Sequence, residues 1–386
     1  MGAPYFTKSE YDARHEAVRR GMAARGLDLL LLSAPENIFY LTGLDHWGYF
    51  TPHILAIPSE GEMTLITRAM EKVTVEHQVS NAHFSGHGDH ETAAEAFGRV
   101  FAARLHQLKR IGIEAWSSGL PHGLARALQR QSPLAEWIDA SGLVDDLRLV
   151  KSPAEQAYLR QAAQVSDAGA AAAIAADDVA CPHARGVTIA AECDRAMLEA
   201  GGTFPGFGPF IRSTARLGEE HTTWTDARLA EGDALFLELT GCVARYHAPL
   251  GRLIHVGHAP KGAQEMAAVS QAAFEAVLRA LKDGALARDI YAAWQSVVDR
   301  AGLSHYRRHH CGYAVGIGFP PSWTGGNKVV GLRHDSEMVI RTGMSFHVLS
   351  WLMGTGRGDF FISNAVLLSE NGPEVLTRTP ARVTIR

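Results

Sequence analysis

The sequence predicts an α+β protein of two domains, a small α/β domain over 1–148 and a larger α+β domain over 149–386. Three observations carry this expectation. Strand-like and helix-like runs alternate over about 1–145. The composition shifts near 146–152, where Ser152, Pro153 and Glu155 form a capping-box start to a long Ala-rich helix. Beyond it, strand-rich pieces (206–214, 234–257, 345–352, 360–368) alternate with helical ones (187–200, 262–282, 286–301).

In the first domain, 8–26 reads as an amphipathic helix ending at Gly26, and DLLLLS (28–33) as a buried strand. PENIFYLTG (35–43) is a short helix stopped by Gly43. HILAIP (53–58) and MTLITR (63–68) pair across SEGE. ETAAEAFGRVFAARLHQL is helical, RIGIEA a strand and GLARALQRQ a helix.

Composition excludes several function classes. The net charge of -4 argues against non-specific nucleic-acid binding, which needs a basic face. No apolar run is long enough to span a bilayer, and MGAPYFTKSEYDARHEAVRR has no signal-peptide core, so the chain is expected to be soluble and cytoplasmic. Cys181, Cys193, Cys242 and Cys311 form no CxxC pair, so neither a zinc ribbon nor a redox motif is indicated.

The larger domain is organised around LFLELTGCVARYHAPLGR (235–252). Its apolar run carries one acidic residue, Glu238, and a carboxylate in such a run needs a partner or a job. A turn at Thr240-Gly241 and a second strand with Tyr246, His247 and Arg252 would make a hairpin lining a polar site. The pattern alone leaves an edge strand with Glu238 facing water, or bonded to Arg245 or Arg252, equally open. Alternation puts Tyr246 and Arg252 on one face and His247 on the other.

Several ordered segments resemble the creatinase, prolidase and aminopeptidase P family, whose C-terminal domain has the pita-bread fold. They are NIFYLTG, LRLVKSPAEQAYLRQAA, EEHTTWTDARLAEGDALFLEL, RTGMSFHVL and FISNAVLLSENGPEVLT. The family's peptidases hold two metal ions with two Asp, one His and two Glu. Laid on that pattern, this chain has Glu238 at the first Asp, Pro249 at or beside the second, Tyr313 at the His, and Leu349 and Ser363 at the two Glu. One carboxylate and a Tyr cannot hold a dinuclear centre, which needs several O or N ligands together. The expectation is therefore no metal and no other cofactor.

Within the family, ELTGCVARYHAPLGR, GYAVGIGFPPSW, GMSFHV and LTGLDHWGYF are most similar to the metal-free branch of ectoine hydrolase and creatinase. The resemblance implies His221 as the catalytic acid/base, a task suited to an imidazole that titrates near neutral pH. It gives Glu238 a second catalytic part, as water activator, imidazole orienter or partner of a cationic substrate. Phe210, Tyr246, His247, Arg252, His310, Tyr313, His347 and Trp351 are candidate substrate contacts. Trp47 and Tyr49 are expected to cover the site of a partner in a homodimer, or else to form an ordinary packed loop. SHYRRHH (304–310) reads as a solvated loop or helix end, not a metal cluster. Loops 204–216, 318–330 and 351–359 are expected to shape the pocket.

The expected activity is metal-independent hydrolysis of a C–N bond in a small polar nitrogen compound, such as a cyclic amidine, lactam or guanidino acid. The alternatives are a lyase using the same acid/base pair, an Xaa-Pro-type metallopeptidase, and a non-catalytic pita-bread binding module.

Overall fold

The computed structural model describes residues 4–175, 181–325 and 329–386. Two compact units divide it, Met1–Arg148 and Leu149–Gly325 with Val329–Arg386. Residues 326–328 of the expected pocket loop lie outside the described residues.

The first unit contains α1 (Lys8–Ala24), β1 (Leu29–Leu32), α2 (Pro35–Thr42), β2 (Ile54–Pro58), β3 (Met63–Arg68), α3 (Lys72–Gln78) and β4 (Ala82–His87). It continues with α4 (Ala93–Phe101), β5 (Arg110–Ile113), α5 (His122–Gln131), β6 (Glu136–Asp139) and α6 (Leu143–Arg148). Its described strands form one mixed sheet in the order β4-β3-β2-β1-β5-β6. The four leucines of β1 are all buried, as a central strand covered on both faces requires. The sequence pattern missed β4 and β6 because both are edge strands, partly exposed and without a clean apolar period. The long helix expected after Glu91 stops at Phe101, and Leu105–Gln107 forms a separate single turn.

The second unit contains α7 (Pro153–Ala175), α8 (Gly186–Glu199), β7 (Phe210–Arg212), β8 (Ala234–Val243), β9 (Tyr246–His255), α9 (Ala263–Ala280), α10 (Ala287–Arg300) and β10 (Gly312–Ala314). The last strands are β11 (Ser345–Leu352), β12 (Phe360–Ser369), β13 (Gly372–Val375) and β14 (Thr384–Ile385). The capping box at the start of α7 is formed: Ser152 N donates to Glu155 Oε2 at 2.8 Å, and Glu155 N to Ser152 Oγ at 3.2 Å. The sheet runs β10-β11-β12-β9-β8-β7, with β13 on β12 and β14 on β9.

Strand alternation sorts this sheet into two faces. Leu235, Leu237, Leu239, Leu250 and Ile254 pack with residues of α7 and α8. Phe346, Val348, Phe360 and Ile362 pack with residues of α9 and α10. The opposite face carries Phe236, Leu253, Leu349, Trp351 and Phe361 in a smaller cluster, and there the side chains also include polar groups. A helix-covered face leaves no space for a ligand, so a site in this unit belongs to the other face. Among the described residues, no helix is long and apolar enough to cross a membrane.

Candidate active site

The hairpin that positions Glu238 turns at Ala244-Arg245 and not at Thr240-Gly241, which lie inside β8. Both turn residues take positive φ, 48° and 65°, the conformation a two-residue hairpin turn demands. Without a glycine there, the turn is held by its side chain. Arg245 Nη2 donates to Gly318 O at 2.8 Å and Nη1 to Phe204 O at 2.8 Å, with the guanidinium 4.1 Å from the Phe204 ring centre. Gly241 serves another purpose. A Cβ there would lie 2.3 Å from Ala162 O, and its N–H donates to Ser166 Oγ at 2.6 Å, so the glycine admits α7.

Register places Phe210, Glu238, Gly251, Ser363 and Leu349 in one row across β7, β8, β9, β12 and β11. Above this row is a cavity of about 530 Å³. His221, Glu238, Phe210, His310, Tyr313 and Trp351, all singled out by the sequence, line it.

Glu238 sits in the row at 8% exposure and accepts no hydrogen bond from the described residues. Burial pushes its carboxyl up to about 8; Arg212 opposes the rise and Glu220 adds to it. Arg212 is itself buried, lies 3.8 Å from Glu220 and 4.3 Å from the Phe236 ring centre, and donates to Glu219 O at 2.5 Å. It thereby ties β7 to the loop that carries His221. The loop is further tied by Arg216 Nη1 to Thr223 O at 2.8 Å and Thr223 Oγ1 to Pro209 O at 2.5 Å. His221 is exposed, in the left-handed region at φ 55°, edge-on to Phe210 with ring centres 6.1 Å apart. Such a φ is uncommon outside glycine and costs backbone energy, so the loop must hold it. No hydrogen bond joins His221 to Glu238 among the described residues.

Phe207, Phe210 and Trp323 form an aromatic wall, with Phe207 centred 3.9 Å from Trp323 and 4.8 Å from Phe210. Trp323 Nε1 donates to Tyr313 Oη at 3.1 Å. Arg308 lies 4.7 Å from the Trp351 ring centre. His310 packs edge-on to Tyr313, and burial, with His309 and Arg308 nearby, lowers its imidazole to about 3.

Six expected contacts are not among the residues that line the cavity. Tyr246 and Arg252 do share a face, but it is the helix-covered one. Tyr246 is fully buried and donates to Glu155 Oε1 at 2.7 Å. Arg252, 3% exposed, donates to Ser363 O at 2.7 Å, Asn364 Oδ1 at 2.9 Å and Pro380 O at 3.1 Å, fastening the C-terminal segment. His247 faces the other side but is buried, accepting from Gly206 N at 3.0 Å, and burial beside Arg245 lowers it to about 3. His347 is fully buried beneath the cavity floor, 2.8 Å from Tyr313 Oη and 2.6 Å from Ser363 Oγ. Trp47 and Tyr49 belong to the first unit; Trp47 is 63% exposed and Tyr49 Oη donates to Leu44 O at 3.1 Å.

The sequence reading missed Arg212, Glu220, Arg308 and Trp323, which also line the cavity. Arg212 was within reach of it, two residues from Phe210 on the same strand face. The run at 304–310 is only partly a solvated loop: Arg307 pairs with Asp299 at 2.8 Å, while Arg308, His309 and His310 reach the cavity.

Residues 157–370 match the family described as Metallopeptidase family M24, and residues 14–150 the Creatinase/Prolidase N-terminal domain. The chain is 27% identical to an ectoine hydrolase of Halomonas elongata, covering 99% of this chain and 98% of that one. It is 23% identical to a creatinase of a Bacillus species, covering 98% and 92%. Its fold is similar to that of an Xaa-Pro dipeptidase from Bacillus anthracis, with TM-score 0.83, 21% identity and 97% and 100% of the two chains covered.

A metallopeptidase family raises the question of whether these residues could hold metal. In the row Glu238–Gly251–Ser363–Leu349 only Glu238 is a carboxylate. Tyr313 stands near it where the family pattern has an imidazole, and Pro249 pairs with Thr240 inside the sheet. Among the described residues, no three His, Cys, Asp or Glu are grouped to bind a metal ion. The donor set does not fit a dinuclear centre.

Proposed function

Because the chain belongs to metallopeptidase family M24 and carries a Creatinase/Prolidase N-terminal domain, we propose that it is a hydrolase that cleaves a C–N bond of a small polar nitrogen compound without a metal ion. The observation that carries this reading is the row on the open sheet face. It keeps one buried carboxylate, Glu238, and has Gly, Ser and Leu beside it. A cyclic amidine, a lactam or a guanidino acid suits the cavity. Its planar group fits against Phe207, Phe210 and Trp323, and its nitrogen side meets Glu238.

In this reading water attacks the sp² carbon. His221 takes one proton from the water as the C–O bond forms and passes it to the nitrogen as the C–N bond breaks. A neutral imidazole is needed at the start of that cycle. Glu238, protonated at rest because it is buried, donates to or, once it has lost its proton, pairs with the substrate nitrogen. The relatives named ectoine hydrolase and creatinase support this class of reaction. The dipeptidase reading requires a set of metal ligands, and among the described residues no three His, Cys, Asp or Glu are grouped to bind a metal ion.

The working form is proposed to be a homodimer in cytoplasm, with the loop of Trp47 and Tyr49 covering the partner's cavity. The exposure of Trp47 supports this.

The test is mass spectrometry of cyclic amidines, lactams and guanidino acids incubated with chelator-treated protein. Addition of one water with an opened C–N bond supports the reading. Loss of a small molecule without water would indicate a lyase, and turnover only on Xaa-Pro dipeptides with added metal would overturn the proposal.

A further inference from the structure

Beneath Glu238 is a chain of side chains whose hydrogen-bond direction can be read from chemistry. An indole N–H only donates, so Tyr313 Oη accepts from Trp323 Nε1 at 3.1 Å. The phenol has one proton of its own. His347 Nδ1, at 2.8 Å, is the acceptor available to it among the described residues. A neutral imidazole that accepts at Nδ1 carries its proton on Nε2. Nε2 lies 2.6 Å from Ser363 Oγ and 3.8 Å from Glu238 Oε1. Trp323, His347 and Ser363 are each no more than 1% exposed, so water does not compete for these bonds.

We propose that Tyr313 and His347 are positioning residues that set the polarity of the cavity floor, presenting an N–H and not a lone pair to Ser363 and Glu238. This rests on the reading of Glu238 as a reacting group. The opposite tautomer would leave the phenol proton of Tyr313 without an acceptor among the described residues, in a buried region where an unmet donor is costly. The 3.8 Å separation is too long for a hydrogen bond, so the effect is orientation and field. The charged and titratable groups around His347 are Tyr313 from β10, Glu238 from β8, Arg252 from β9 and His310 from the preceding loop. Arg252 and His310 both disfavour a cationic imidazole, and burial does so more strongly. The two positions that anchor the chain, Tyr313 and Ser363, are those at which the family pattern has metal ligands. The chain is thus a hydrogen-bonded replacement for part of a metal centre.

The test is ring ¹⁵N NMR of the full-length protein labelled in histidine, with the His347 signals assigned by their loss in His347→Gln. The expected result is the Nε2–H tautomer, unchanged from about pH 6 to about pH 8, and loss of that single tautomer in Tyr313→Phe. An Nδ1–H or cationic His347 in the native protein, or an unchanged tautomer in Tyr313→Phe, would overturn the proposal. The experiment needs no substrate, so it can fail while the hydrolase reading stands. With substrate in hand, Tyr313→Phe should lower kcat about 10-fold or more at nearly constant KM. A raised KM with native kcat would make Tyr313 a substrate contact and sink the positioning role.

Discussion

Glu238 lies directly opposite Gly251 in the β8–β9 pair, and a Cβ on Gly251 would fall 2.2 Å from the Phe361 ring. The absent side chain lets Phe361 fill the space beside the carboxylate. Gly251→Ala should therefore destabilise the protein by about 1–3 kcal/mol, the usual cost of overpacking. Urea unfolding of the variant checks this; an unchanged midpoint would mean that Phe361 can move aside.

His221→Ala should lower turnover by on the order of 10²–10⁴, the common worth of general acid–base catalysis, with an unchanged melting temperature because the side chain is exposed. Steady-state kinetics on the substrate found by mass spectrometry reads it. Near-native activity would move the search to Glu238 and His310.

Glu238 links stability to pH. Its carboxyl is raised from 4.5 to about 8 in the folded protein. Between those values the native state holds a proton that the unfolded chain has released. Stability is then fully present below the lower value, falls as pH rises between the two, and levels off above the higher. Glu238→Gln removes that slope, so urea midpoints of native protein and variant should converge towards low pH and separate in the variant's favour towards high pH. Parallel curves would contradict the buried, protonated carboxyl. If Glu238 also reacts, the same variant should lower kcat more than it alters KM.

The purified protein should contain no stoichiometric metal, because the row around Glu238 lacks the further carboxylates a dinuclear centre needs. Elemental analysis and activity after dialysis against a chelator measure it. About two Mn, Zn or Co per chain, or activity lost to the chelator, would refute it.

Light scattering at micromolar concentration should give twice the chain mass. Trp47→Ser should weaken the dimer if the loop covers a partner, since the exposed indole would be among the apolar anchors of the contact. A monomeric native protein would remove the covering role of Trp47 and Tyr49.

Local chemistry made much of this protein legible in its sequence. Ser152, Pro153 and Glu155 announce α7 because a helix start must satisfy its own free N–H groups within a few residues. The leucines of β1 announce a central strand because both of its faces are covered. An acidic residue within LFLEL singled out Glu238, because a carboxylate in an apolar run needs a partner or a job, though the pattern left its burial open. The resemblance to a family then pointed to His221. Even the facing of Tyr246 and Arg252 was implicit: either placement of the hairpin turn pairs even-numbered residues of β8 with odd-numbered ones of β9, which sets both against the helices. Tertiary structure decided what depends on residues far apart in the chain. Gly241 marks the approach of α7 and not a turn, since the colliding atom belongs to Ala162. Arg212 and Arg308 reach the cavity, and Trp323, Tyr313, His347 and Ser363 join beneath Glu238, because four strands and two loops converge there. Sequence period fixes which face a side chain takes; only packing between distant segments determines what that face meets.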